Sequence, residues 1–183
     1  MMPLYAYAIL AAGWLAWVAR FVLAQRNREH AQEIDRRARW GILLELIGYA
    51  LLWQNPFWAR PLPVWRPALS SAFFVLASLL SWTAVPALGR HWRIEAGLSP
   101  DHQLVTAGPY RVVRHPIYTS MLCMLIGTGC MVTPLLTLLV ATLIFIVGME
   151  IRVRVEDRLL AARFGEQFLA YRRSVPAYLP FLR

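Results

Sequence analysis

Long apolar blocks without charge constrain this chain more than any other feature. Residues 1–19 carry no charged side chain, and the apolar run continues past Arg20 to Ala24. Residues 67–89 and 116–149 are also free of charged side chains. A helix crosses the roughly 30 Å hydrocarbon core of a bilayer with about 20 apolar residues. The blocks therefore predict a protein whose solvent is lipid, and the low charged fraction of 16% agrees with this prediction.

Two details complete the predicted membrane spans. Residues 41–59 form a further apolar block that only Glu45 interrupts. The last block is too long for one span, and Pro134 divides it, because proline suits the first turn of a helix but disrupts a helix interior. We expect a short hairpin of two helices, about residues 116–131 and 134–150, partly shielded by other protein. The prediction is then five transmembrane helices.

The chain changes character after residue 150. Residues 150–174 are charged and lack proline, which predicts a cytoplasmic C-terminal helix, weakened at Gly165. Apolar side chains recur along it at three- and four-residue steps: Leu159, Leu160, Phe164, Phe168 and Tyr171. An extended apolar cap over residues 175–182 is expected to follow. The predicted fold class is all-α: an integral membrane protein with five transmembrane helices, a short helical hairpin and a cytoplasmic C-terminal helix.

The distribution of arginine predicts the orientation of the chain. All 19 basic residues are arginines, and the formal net charge is +9. Arginine-rich segments (25–40, 90–115 and the tail after 150) alternate with an arginine-poor loop at 60–66 and a hairpin tip that has none. The positive-inside rule then places the N-terminus outside and the C-terminus in the cytoplasm. We expect the membrane to be the plasma (inner) membrane of a prokaryote. The N-terminal block lacks a basic leader and a small-residue cleavage site, so we expect an anchor rather than a signal peptide.

The segment from His102 to Tyr118 is the most unusual part of the sequence. It holds two histidines, two arginines and two tyrosines, and it leads directly into an apolar helix. Pro116 suits the first helical position, which makes His115 the expected N-cap, and the unpaired backbone N–H groups there favour a ligand carboxylate. The alternative is a basic loop at the membrane surface whose arginines contact lipid phosphates.

Two further charged features are candidates for a functional role. Arg152 and Glu156 are four residues apart, so they share one helix face, on the same side of the membrane as the 102–118 segment. The alternative for this pair is a solvated ion pair at the membrane surface. Glu45 lies inside the second block, where a mid-bilayer carboxylate costs roughly 2.5–3.5 kcal/mol. We expect Glu45 either to reach the headgroups or to contact the substrate.

Three stretches together resemble the isoprenylcysteine carboxyl methyltransferase family, within the wider group of membrane methyltransferases that includes phospholipid methyltransferases. The resemblance covers roughly residues 88–183. It is carried by His102-Gln-Leu-Val-Thr-Ala-Gly-Pro-Tyr110, by Arg114-His-Pro-Ile-Tyr118, and by Glu156-Asp157 with Phe164-Gly165-Glu166, Tyr171, Val175-Pro176 and Leu179-Pro180-Phe181. It implies S-adenosylmethionine-dependent methylation of a lipophilic substrate, most simply carboxyl O-methylation of an isoprenylcysteine-like group. It also implies a catalytic, cofactor-binding region over residues 88–183, preceded by N-terminal transmembrane helices in residues 1–87.

The resemblance also assigns site residues. Those expected to line S-adenosylmethionine are His102, Gln103, Leu104, Val105, Tyr110, His115, Pro116, Ile117, Tyr118 and Glu156. Arg152 stands where the family has an arginine that holds the substrate carboxylate, and Arg114 is counted with it as catalytic; Glu45 is a candidate substrate contact. The implied partners are a lipophilic or prenylated substrate and membrane lipids, with no nucleic acid and no metal. Cys123 and Cys130 are expected to pack in the core, not to form a disulfide or a metal site.

Several functions remain open at this point. A carboxylate is ionised at pH 7 and needs no strong base, whereas a lipid amine must first lose a proton, for which His102, His115 and Glu45 are the candidate bases. A nicotinamide-dependent sterol-type reductase shares a similar Tyr-x-x-x-Arg-His-Pro-x-Tyr region. Such reductases usually have more spans, and the acid pair Glu156-Asp157 fits the methyltransferases better. A non-catalytic membrane scaffold is the last alternative.

Overall fold

Helices dominate the computed structural model, which describes residues 2–24, 33–34, 36–54, 62–92, 97–98 and 102–178. They are α1 (Leu4–Ala24), α2 (Ala38–Leu51), α3 (Trp65–Leu88), α4 (Pro116–Val132), α5 (Leu135–Phe164) and α6 (Glu166–Ser174). Two short 3-10 helices (Gly89–His91 and Gly108–Arg111) and a two-residue antiparallel pairing of β1 (Glu33–Ile34) with β2 (Gly97–Leu98) lie between them. The helical class is as predicted.

Three of these helices have the properties of membrane spans. α1, α3 and α5 are long and apolar enough to cross a bilayer, and α4 is a shorter apolar helix. Large apolar side chains on the outer faces of the long helices are exposed, among them Leu15 at 70%, Leu79 at 60% and Leu136 at 75%. Exposing so much apolar surface to water would be unfavourable, so these features identify a helical integral membrane protein.

The second span and the hairpin differ in detail from the prediction. The second block forms α2, which has 14 residues and ends at Leu51, while residues 55–61 lie outside the described part of the chain. In the hairpin, Thr133 and Pro134 are extended, and α5 starts directly after the proline. Most residues of α4 are buried, which confirms that the rest of the chain shields this short helix.

The predicted end of the hairpin at residue 150 is wrong. α5 runs without a break to Phe164, because residues 150–164 contain neither proline nor glycine and charge alone does not end a helix. The predicted single C-terminal helix is instead divided at Gly165, whose φ of 53° lies in the left-handed region that glycine tolerates. α6 follows, and the chain is extended at Val175 as expected. The rest of the predicted cap, residues 179–182, lies outside the described residues.

Small residues let α2 and α5 approach until their backbones touch. A Cβ atom added at Gly148 would lie 2.6 Å from the carbonyl oxygen of Gly41 and 3.0 Å from the backbone nitrogen of Glu45. In lipid, where apolar burial adds little, such close packing is a main source of helix association. The contact brings Glu45 of α2 against the charged stretch of α5.

α1 packs on α3 and α4 around a large aromatic side chain. A Cβ atom at Gly13 would lie 2.5 Å from the ring of Phe74, and one at Gly127 would lie 2.9 Å from it. Polar side chains pair across the same interface, since Trp17 Nε1 donates to Ser120 Oγ at 3.2 Å. An unpaired polar group in this apolar setting would be costly, so such bonds specify how the helices align.

We expect Gly148→Ala to destabilise the protein by about 1–3 kcal/mol, because the added methyl group clashes with backbone atoms that cannot move aside cheaply. Thermal unfolding of the detergent-purified protein measures the effect. Ala162→Val, which adds volume at an exposed position of the same helix, is the control. An unchanged unfolding temperature for Gly148→Ala would contradict the described contact.

Candidate active site

The structure gathers the predicted site residues around one cavity of about 390 Å³, a size within the roughly 300–1,000 Å³ typical of small-molecule sites. It lies between α1, the end of α3, the 102–118 segment and the charged part of α5. All predicted site residues except Glu45 line it: His102, Gln103, Leu104, Val105, Tyr110, Arg114, His115, Pro116, Ile117, Tyr118, Arg152 and Glu156. The 102–118 segment and the pair Arg152 and Glu156, which are distant in the sequence, therefore border the same cavity.

One wall of the cavity is apolar and comes from a helix to which the sequence assigned no role. Trp17 and Phe21 of α1 line it, with ring centroids 4.6 Å apart, and Trp92 lies 5.3 Å from Phe21. The three- and four-residue spacing of Trp14, Trp17 and Phe21 puts three aromatic rings on one helical face. This spacing could have indicated that α1 contributes to the site, but the same spacing in an apolar span also fits ordinary helix packing.

Arg152 is buried and held from two sides. Its side chain lies in α5 at 5% exposure, and its NH1 donates to Oε2 of Glu45, itself 3% exposed, at 2.7 Å. The Arg152 guanidinium carbon lies 4.7 Å from the centre of the Tyr118 ring, within cation–π range. Glu45 is thus buried against a cavity-lining arginine and does not itself line the cavity.

Two carboxylates and a histidine continue the polar network. Tyr118 donates its hydroxyl to Glu156, and Glu156 Oε2 lies 3.5 Å from His115 Nδ1. The other ring nitrogen, Nε2, lies 3.0 Å from Oδ1 of Asp157. Burial lowers the pKa of His115, but the hydrogen bonds to Asp157 and Glu156 outweigh it and leave the pKa raised. These hydrogen bonds favour the imidazolium, so the neutral imidazole that could accept a proton is disfavoured.

Asp157 joins this network to the C-terminal segment. Its Oδ2 accepts from Arg114 NH2 at 3.1 Å and lies 3.7 Å from Arg172 Nε. The backbone N–H groups of Arg114 and His115 donate to the carbonyl oxygens of Pro176 (2.8 Å) and Ala177 (3.0 Å). Asp157 does not itself line the cavity. It ties the residues that do to the extended tail.

The start of α4 has the predicted geometry. The helix begins at Pro116 with His115 as N-cap, and no side-chain hydrogen bond caps it. Nearby, Tyr171 donates its hydroxyl to the carbonyl oxygen of Tyr110 at 2.6 Å. Burial raises the pKa of Tyr171 to about 12, so this hydroxyl remains a donor at neutral pH.

In the described residues, no cluster of three or more His, Cys, Asp or Glu side chains is arranged to hold a metal ion.

Comparison with known proteins finds similarity to membrane methyltransferases. The family described as "Isoprenylcysteine carboxyl methyltransferase (ICMT) family" matches residues 70–162, from α3 to near the end of α5. The protein-S-isoprenylcysteine O-methyltransferase B of Arabidopsis thaliana is 30% identical over 121 residues, covering 64% of this chain and 61% of that protein. The protein-S-isoprenylcysteine O-methyltransferase of Mus musculus is 29% identical over 134 residues, covering 71% and 47%.

A relative with another name is similar over a comparable length. The cobalt-zinc-cadmium resistance protein CzcN of Cupriavidus metallidurans is 34% identical over 140 residues, covering 65% of this chain and 63% of that protein. The chain thus spans between 47% and 63% of the lengths of these three relatives. The segments α1 and α2 lie before the family-matched residues.

We expect Asp157→Asn to loosen the C-terminal segment, because Arg114 would lose its buried counter-charge. Limited trypsin digestion should cleave after the exposed Arg172 or Arg173 roughly tenfold faster than in the wild type. Glu166→Gln, which removes an exposed ion pair with Arg173, is the matched control and should leave the rate unchanged. Equal cleavage of Asp157→Asn and the wild type would show that Asp157 does not hold this segment.

Proposed function

Because the chain belongs to the isoprenylcysteine carboxyl methyltransferase family, we propose that it methylates the carboxylate of a lipophilic, isoprenylcysteine-like acceptor with S-adenosylmethionine. The observation that carries this proposal is the cavity itself. It combines a buried cation, Arg152, and a carboxylate, Glu156, with an apolar wall from a lipid-facing helix. An acid with a lipid tail and a cofactor that carries both charges need these features together.

The donor set of the cavity fits S-adenosylmethionine. Glu156 supplies a carboxylate for its positive groups, and the first turn of α4, which begins at Pro116, supplies the backbone N–H groups of Ile117 and Tyr118 for its carboxylate. The Nε of Arg114 is buried without a hydrogen-bond partner among the described residues, so it is a donor that a ligand carboxylate would satisfy. His102 to Val105, Tyr110, Ile117 and Tyr118 complete the proposed cofactor wall.

The chemistry requires positioning more than proton transfer. When bound, S-adenosylmethionine would supply a sulfonium methyl group. Transfer of this methyl group from sulfur to a carboxylate oxygen of the acceptor would give a methyl ester and S-adenosylhomocysteine. No proton moves, because the acceptor is already ionised. The chain must hold the acid in line and exclude water, which the buried site and its aromatic wall are suited to do.

Arg152 is the proposed ligand of the acceptor carboxylate. A guanidinium has five N–H donors, and in Arg152 NH1 donates to Glu45. The ring of Tyr118 lies against the guanidinium and restrains its orientation. A planar guanidinium can bind a carboxylate through two parallel hydrogen bonds. Arg114, which borders the same cavity, is proposed as the second catalytic arginine.

Topology completes the proposal. Five spans with the N-terminus outside would put the cavity near the cytoplasmic surface of a prokaryotic inner membrane, where arginines meet anionic headgroups. The acceptor would enter sideways from the bilayer past Trp17 and Phe21 of α1. Residues 88–183 are the proposed catalytic region, and residues 1–87 contribute the N-terminal spans.

Amine methylation is a weaker alternative. It needs a base, and of the three candidates His115 is bonded to two carboxylates that raise its pKa, while Glu45 is paired with Arg152. His102 remains as a base for that reaction. Acid and amine acceptors of the same lipid tail should therefore be assayed side by side.

Calorimetric titration with S-adenosylhomocysteine tests the proposal directly, with a reduced nicotinamide dinucleotide as the control. We expect micromolar binding of the first and none of the second, because the cavity has carboxylate and N–H partners for the cofactor. Binding of the nicotinamide alone would make the protein a reductase. Binding of neither would leave a non-catalytic scaffold.

Arg152→Lys separates acceptor binding from cofactor binding. Lysine keeps the charge that Glu45 needs but loses the planar fork, so KM for a lipophilic acid should rise roughly tenfold or more while affinity for S-adenosylhomocysteine stays constant. Arg154→Lys, two residues along the same helix and exposed, is the control and should behave like the wild type. An unchanged KM in Arg152→Lys would remove Arg152 from the acceptor site.

A further inference from the structure

Helix α2 lies before the family-matched residues 70–162, yet it supplies the counter-charge of a cavity-lining arginine. Glu45 and Arg152 are 3% and 5% exposed, and the ionic contact between Oε2 and NH1 is 2.7 Å long. Arg152 borders the cavity and Glu45 does not. Glu45 therefore does not contact a bound molecule directly, and Arg152 is its hydrogen-bonded partner at the cavity.

The packing of α2 on α5 makes this pairing precise. Gly41 and Gly148 each stand one helical turn before the members of the pair, and the two glycines meet backbone to backbone. A Cβ atom at Gly41 would also lie 2.5 Å from Cγ of Arg152. The arginine stem is thus packed against the glycine face of α2, and its guanidinium has little freedom to move away from Glu45.

We propose that Glu45 sets how tightly Arg152 holds the acidic acceptor, an inference that rests on the proposed carboxyl methylation. The acceptor carboxylate loses its negative charge as the O–CH₃ bond forms. An arginine with no counter-charge would therefore bind the ground state more strongly than the transition state and would slow the reaction. The neighbouring carboxylate weakens this grip and leaves the acceptor oxygen nucleophilic. Glu45 acts as a positioning and tuning residue, without touching the substrate.

A direct substrate contact or a purely structural role predicts different kinetics. If Glu45 touched the acceptor, its loss would raise KM. If it only kept α2 on α5, its loss would lower stability and the amount of active protein, and KM would stay constant. Tuning through Arg152 predicts that KM and kcat fall together, because ground-state binding tightens while the transition state gains less.

The experiment compares the wild type, Glu45→Gln and Glu166→Gln with a farnesylated N-acetylcysteine as acceptor. In Glu45→Gln we expect KM to fall roughly tenfold and kcat to fall by a smaller factor, because Arg152 loses the negative charge of its hydrogen-bonded partner. Affinity for the acceptor in the presence of S-adenosylhomocysteine, measured by calorimetry without turnover, should rise by a similar factor. Glu166→Gln removes a carboxylate that, unlike that of Glu45, is exposed to solvent, so this variant should match the wild type.

Every result decides the question. A KM that rises or stays constant in Glu45→Gln, with an active wild type, overturns the role of Glu45 alone. A wild type that binds S-adenosylhomocysteine but methylates no acid overturns the proposed function, and this inference with it. If Glu45→Gln does not fold, Glu45→Asp decides: it keeps the charge but withdraws it by one methylene, and the same joint fall in KM and kcat, smaller in size, is expected.

Discussion

The pairing of buried charges is the constraint on which the rest of this structure depends. A charged group taken out of water into a lipid-embedded bundle is costly unless another charge and hydrogen bonds compensate it. Here the compensation forms one connected series: Glu45, Arg152, Tyr118, Glu156, His115, Asp157 and Arg114. Its members come from α2, the 102–118 segment, the start of α4, and α5, so the pairing of these charges favours the observed arrangement of the four elements.

The same series explains how a membrane bundle can offer a reactive site. The cavity wall holds a cation for an acidic acceptor and a carboxylate for a cationic cofactor. Each of these buried charges needs a charged or hydrogen-bonding partner in the protein interior. Arg152 has Glu45, and Glu156 has Tyr118 and His115. The family-matched residues supply the cavity-lining charges, whereas α1 and α2, which lie before the match, supply the apolar wall and a counter-charge. The proposed reaction therefore depends on both halves of the chain.

The features of the fold that the sequence predicted correctly are those that depend on neighbouring residues along the chain. The three long apolar helices α1, α3 and α5 were identified because transfer into lipid depends on the composition of each segment alone. Pro116 marked the start of α4, because it changes the backbone directly. Gly165 was expected only to weaken a helix, but it divides α5 from α6. The end expected at residue 150 was wrong for a related reason: the change from apolar to charged residues marks where the environment changes, while the helical hydrogen bonds of α5 continue through it.

The sequence by itself determined the membrane class, the main helices, and the residues of the 102–118 and 152–156 segments that border the cavity. Only the tertiary structure decided that Arg152 pairs with Glu45, 107 residues away, that His115 pairs with Asp157, 42 residues away, and that α1 closes the site with Trp17 and Phe21. Helix propensity and hydropathy depend on neighbours along the chain. An ion pair between helices depends on their separation and rotation, which here follow from the contact of Gly41 with Gly148, and no local pattern encodes that geometry.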